Sequence, residues 1–86
     1  MKQSAINFES VKSPENEKIA RWLRLKRKSK GHTMRSLAEL IGTQHSFVGK
    51  VEKQQRRLDI VEFVKYCQKL GIDPVEGVNM IQESLI

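Results

Sequence analysis

The chain has 86 residues, 38 % hydrophobic and 30 % charged, with a formal charge of +6. A chain this short folds as one domain that buries only about 60 to 65 % of its unfolded surface, which argues against an enzyme with a deep enclosed cleft. The basic balance favours a polyanionic partner or an acidic membrane surface, against the plainer reading of solubility alone, and a single cysteine, Cys67, excludes an intrachain disulfide and points to a reducing, intracellular setting.

Residues 1–12 mix polar positions with isolated apolar ones, Ile6, Phe8 and Val11, and read as a tail or arm that packs only partly. Ser13-Pro14-Glu15 is a helix start. Serine caps, proline occupies the first helical position where its missing amide costs nothing, and the acid meets the positive end of the helix dipole. The first helix is expected from Pro14 to about Lys30, with Ile19, Ala20, Trp22 and Leu23 as its apolar face and Leu25 extending it. Lys18, Arg21, Arg24, Lys26, Arg27, Lys28 and Lys30 carry its charge, with no acid after Glu17. So one-signed a run is either a solvated face or a source of phosphate contacts.

Thr33 caps a second, short helix in which Leu37, Ala38, Leu40 and Ile41 make the apolar stripe. Gly42 ends it, because glycine accepts the left-handed backbone of a sharp turn without a Cβ clash. In the third helix Phe47, Val48 and Val51 face inward, while His45, Ser46, Gly49, Lys50 and Lys53 fall on the opposite side. Two short helices joined at Gly42, the second with a polar face of no obvious use inside a small protein, form a helix-turn-helix signature over residues 33–53.

A polar loop, Lys53-Gln54-Gln55-Arg56-Arg57, follows. Asp59 then caps a fourth helix, with Ile60, Val61, Phe63, Val64, Cys67 and Leu70 expected inward and Gly71 closing it. Cys67 is read as a small buried hydrophobe. Asp73-Pro74 opens a fifth helix over 74–85, where Val75, Val78, Ile81 and Leu85 share one stripe and Met80 and Ile86 lie off it. The surplus apolar surface, Met80, Ile81, Leu85 and Ile86, is the candidate dimer contact.

From about Ile19 to about Val78 the chain resembles the lambda-repressor-like, Cro-type (xenobiotic-response-element, XRE) helix-turn-helix family. The resemblance rests on Arg27 ahead of Gly31, the Thr33 cap, Leu37-Ala38-Glu39, Gly42 and Phe47-Val48-Gly49-Lys50-Val51-Glu52. Arg56-Arg57 and Lys69-Leu70-Gly71-Ile72-Asp73-Pro74 complete it. It implies an all-α, compact five-helix DNA-binding domain over residues 13–86, with a recognition helix over 44–53. Gln44, His45, Ser46 and Lys50 would read base edges in the major groove. Phosphate contacts would come from Thr33, Met34, Arg35, Thr43, Lys53, Arg56 and Arg57. Met34 stands where the family usually has a glutamine, so that contact is expected to be lost or to pass to Arg35. Gln44 stands where the family usually has a capping serine or threonine, so the cap is expected to shift to Thr43. Leu58 replaces a proline common in the family. Arg27 and Glu52 match a structural ion pair.

His32 and His45 lie far apart with no cysteine or second histidine at ligand spacing, so no metal site is expected. There is no glycine-rich phosphate loop, no nucleophile elbow and no identifiable carboxylate pair, so neither a catalytic residue nor a cofactor is expected. No apolar run reaches signal-peptide or membrane-span length, which makes a soluble, cytoplasmic protein at a bacterial or phage nucleoid the expectation. The leading reading is a homodimeric, sequence-specific transcriptional regulator, a repressor on a near-palindromic double-stranded operator. A second reading is an antitoxin that binds a protein toxin and autoregulates its operon. Length leaves no room for a separate ligand-sensing domain, so control by protein level or by a partner is expected over control by an inducer.

Overall fold

The computed structural model describes residues 13–85; the amino-terminal arm and Ile86, one of the expected dimer contacts, lie outside the described residues. Five helices follow in order: α1 (Pro14–Ser29), α2 (Met34–Ile41), α3 (His45–Glu52), α4 (Ile60–Leu70) and α5 (Pro74–Leu85). No strand occurs among the described residues.

Local chemistry sets most of the boundaries. Ser13 Oγ accepts the Asn16 amide at 3.1 Å, with Pro14 opening α1. At α2 the cap is reciprocal: Thr33 Oγ1 accepts from the Ser36 amide and Ser36 Oγ from the Thr33 amide, both at 2.9 Å. Asp59 and Glu62 repeat this arrangement at α4, at 2.7 and 2.9 Å. Each reciprocal pair satisfies two amides that the first helical turn leaves without an acceptor. Gly42, at φ +86°, turns the chain out of α2, and its amide and that of Thr43 both return to the Ala38 carbonyl at 2.9 Å.

The helices surround one core. α2 packs on α3, α1 on α3 and α5, and α4 on α2 and α5. Leu23, Leu37, Ala38, Val48 and Cys67 are wholly buried at its centre, with Ile19, Trp22, Val51, Phe63, Tyr66 and Leu70 around them. Burying such side chains stabilises the fold by about 1.5–3 kcal/mol each for the larger ones.

On four helices the inward face differs from the one periodicity suggests: Leu25, expected to extend the apolar face of α1, is 61 % exposed. Ile60 and Val61, expected inside, are 68 % and 58 % exposed, and Tyr66 is buried in α4 instead. Leu40 is likewise exposed on α2. On α5 the expected stripe is rotated: Val75, Val78 and Leu85 are exposed, while Gly77 is buried and Met80 and Ile81 pack against the core. The cause is Trp22. A Cβ at position 77 would stand 2.8 Å from Trp22 Cζ3 and 3.0 Å from Phe63 Cζ, so only glycine lets α5 lie this close to the two rings. Trp22 Nε1 donates to Glu76 Oε2 at 3.1 Å, and Lys26 Nζ lies 3.5 Å from the other oxygen of that carboxylate. The backbone therefore approaches on the glycine side, whichever side carries more apolar residues.

Candidate nucleic-acid interface

α3 is anchored through one face. Val48 and Val51 are buried, Phe47 is half-buried, and Gly49 lies against α2, where a Cβ would be 3.6 Å from Met34 Sδ. The remaining side chains follow from the 3.6-residue period: Gln44, His45, Ser46 and Lys50 are all exposed, with Lys53 at the end of the helix. His45 Nε2 lies 3.8 Å from Glu39 Oε2 across the turn, an exposed contact that attracts only when the imidazole is protonated.

The tilt of α3 is held at its far end. Arg27, from the last turn of α1, donates to both oxygens of Glu52 at 2.7 and 3.1 Å, and to the His32 carbonyl at 2.8 Å. The Arg27 and Glu52 side chains are 6 % and 2 % exposed. These hydrogen bonds raise the Arg27 pKa above its ordinary value against the opposing cost of burial. One guanidinium thus joins α1, the bend before α2 and the end of α3.

Several residues assigned from the sequence have other tasks. Arg56 has partners within the chain at a partly exposed position: it pairs with both oxygens of Glu62 at 2.7 and 3.0 Å, donates to the Arg57 carbonyl at 3.0 Å, and lies 4.7 Å over the Phe47 ring. Glu62 is drawn to the loop by its own part in the α4 cap, and so meets Arg56 there; a phosphate at Arg56 would have to share the guanidinium with that carboxylate. Met34 is half-buried against the core, and a thioether has no proton to offer a phosphate, so at this position only the backbone amide is left for that contact. The cap of α3 does not move to Thr43. Gln44 is the capping residue and makes no side-chain cap bond, consistent with the preference there for the shorter serine, threonine, asparagine and aspartate. Thr33 accepts from Ser36 as a cap, and its hydroxyl hydrogen is a further donor. Arg35 and Lys53 are exposed. Arg57 is half-buried and lines a groove beside the start of α1.

Tyr66 and the Arg56–Glu62 pair escaped the sequence reading. For Glu62 a signal existed, since Asp59 and Glu62 stand at capping-box spacing. The Tyr66 hydroxyl is buried and has no hydrogen-bond partner among the described residues, and burial raises its pKa. Burial likewise pushes the Cys67 thiol up to about 11, as suits a packed hydrophobe. Among the described residues no group of three or more His, Cys, Asp or Glu is placed to hold a metal ion, and no helix is long and apolar enough to cross a membrane.

The family model described as helix-turn-helix matches residues 23–76, from the middle of α1 into the start of α5. Among solved structures, the restriction-modification controller protein C.AhdI from Aeromonas hydrophila is 35 % identical, with a TM-score of 0.70, covering 76 % of this chain and 98 % of its own. An XRE-family like protein from Pseudomonas syringae pv. tomato str. DC3000 is 31 % identical, with a TM-score of 0.74, covering 81 % and 85 %. The clp gene regulator ClgR from C. glutamicum, at 21 % identity, shares the fold with a TM-score of 0.73 over 87 % of this chain and 97 % of that one. No curated protein matches. With α2 and α3 joined at Gly42, an exposed polar face on α3, and a family match across most of the five helices, the chain belongs to the XRE-type helix-turn-helix family of DNA-binding transcription regulators.

Proposed function

We propose that this DNA-binding transcriptional regulator acts as a homodimeric repressor, each subunit placing α3 in the major groove of one half of a near-palindromic operator. The observation that carries the reading is the division of α3 into a buried face, Val48 and Val51, and an exposed face of hydrogen-bonding side chains, Gln44, His45, Ser46 and Lys50. An α-helix fits the major groove, where each base pair presents its own pattern of donors and acceptors. Gln44 suits the paired donor and acceptor of an adenine edge, and Lys50, one turn beyond Ser46, suits a guanine.

Phosphates on either side would be held by the amides at the start of α2, by Thr33, Arg35 and Thr43, and by Lys53, with Arg57 beyond the loop. Such contacts set the register and supply salt-sensitive affinity, while base edges supply selection. The second subunit would be met through the apolar residues of the last helix, Met80, Ile81 and Leu85, with Ile86. Half-sites are then about one helical turn apart.

The operator can be found by selecting bound duplexes from a random pool. On that operator Lys50→Ala and His45→Ala are each expected to weaken binding by about 1–3 kcal/mol and to relax selection at one position of each half-site. Unchanged affinity and selection in both variants would overturn the assignment of the reading face.

A further inference from the structure

The loop after α3 folds back on that helix. The Gln55 and Arg56 amides both donate to the Lys50 carbonyl, at 2.8 and 3.2 Å, and the Arg56 guanidinium lies 4.7 Å over the Phe47 ring. Arg56 is therefore held against α3 by its backbone and by its side chain. Its Nη1 and Nη2 each donate to one oxygen of Glu62, at 3.0 and 2.7 Å. This two-point match is also the one by which arginine grips a phosphate. The two side chains are 39 % and 35 % exposed, so the pair stands where an anion from solution can reach it. Neither the helix cap nor stability accounts for the charge on Glu62. The cap needs only an acceptor, here Glu62 Oε1 for the Asp59 amide at 2.9 Å, and glutamine closes such a box as well as glutamate does. An ion pair this open to solvent adds little to stability.

We infer that Glu62 holds, in the free chain, the place of a DNA phosphate on Arg56, and so keeps the affinity for duplex DNA below what the loop can supply. Two anions compete for one fork. For a phosphate to take the guanidinium, the carboxylate must yield it or stay close by and repel the newcomer. Either way its charge opposes the contact. The guanidinium keeps its place when that charge is removed, because Phe47 backs it and the Lys50 carbonyl holds its backbone. Glu62 is thus a positioning residue that acts through Arg56. Its effect is electrostatic and falls on a phosphate contact, so it is the same for every base sequence. The inference deepens the proposed DNA interface and rests on it only in bringing Arg56 to a duplex.

The test follows the full chain by fluorescence anisotropy through a salt series, on the selected operator and on a duplex of random sequence. Glu62→Gln keeps the cap and removes the charge. It is expected to tighten binding about three- to tenfold on both duplexes, and to steepen the log-log salt slope by about 0.9 for each subunit. Adding Arg56→Gln to the same chain should remove the gain and the added slope. Glu17→Gln is the control for net charge, since it frees Arg21 of an exposed partner on α1 in the same way. Equal tightening by that control, unchanged or weaker binding by Glu62→Gln, or a gain that persists without Arg56 would each overturn the inference. The random duplex keeps this result apart from the reading face. If His45→Ala and Lys50→Ala leave operator binding unaltered, a gain on random DNA that requires Arg56 still stands.

Discussion

Arg27 and Glu52 are buried together, and each leaves a stranded charge if the other is removed. Arg27→Ala is therefore expected to destabilise the fold by about 3–5 kcal/mol in urea unfolding, while replacing both by apolar residues of similar volume costs much less. Arg56 and Glu62 are more open to solvent, so their pairing contributes less and depends on pH. Hydrogen bonding from Arg56, then from the Asp59 amide, holds the Glu62 carboxyl below its ordinary value. Because the folded pKa is the lower one, the unfolded chain binds the proton first as pH falls. The contribution is complete above the unfolded carboxylate range and is lost as pH drops through the lowered folded value. Unfolding measured at neutral pH and at about pH 3 should show the parent chain losing more stability than Glu62→Gln; equal losses would contradict the assignment.

Helix ends were legible because their chemistry is local. Ser13-Pro14, Thr33, Gly42, Asp59 and Gly71 each act within a few residues of where they stand, and each marks its boundary. The exposed side of α3 was legible for a related reason: with Val48 and Val51 in the core, helical geometry leaves Gln44, His45, Ser46 and Lys50 outside. The inward sides of α4 and α5 were not, since they depend on partners far along the chain. Gly77 carries no hydrophobicity to betray it, yet it lies where α5 meets Trp22. Arg56 looked like a loop cation because its partner is fixed by the path of the loop, which no periodicity encodes. The missing side-chain cap on α3 leads to a prediction at this scale. Gln44→Ser should add about 0.5–1 kcal/mol of thermal stability by supplying the absent bond, while operator affinity falls if Gln44 reads a base. A variant gaining neither stability nor a change in affinity would show that position 44 does neither job.

Across the whole molecule, 16 Lys and Arg stand against 10 Asp and Glu. Arg27 is held in a buried pair and Arg56 in a partly exposed one, so the charge left to meet a polyanion is smaller than the composition implies. Even so, a dimer that neutralises several phosphates per subunit should lose affinity with a log-log salt slope of about −5 or steeper, measured by fluorescence anisotropy on the selected operator. A flat response would count against the proposed interface. The clasp between Arg27, His32 and Glu52 has a kinetic corollary. In the proposed mode of binding it fixes the angle of α3 before any duplex arrives, so encounter need not wait for a segment to become ordered. Arrival should then be governed by diffusion and long-range attraction, and residence time by how well the bases match.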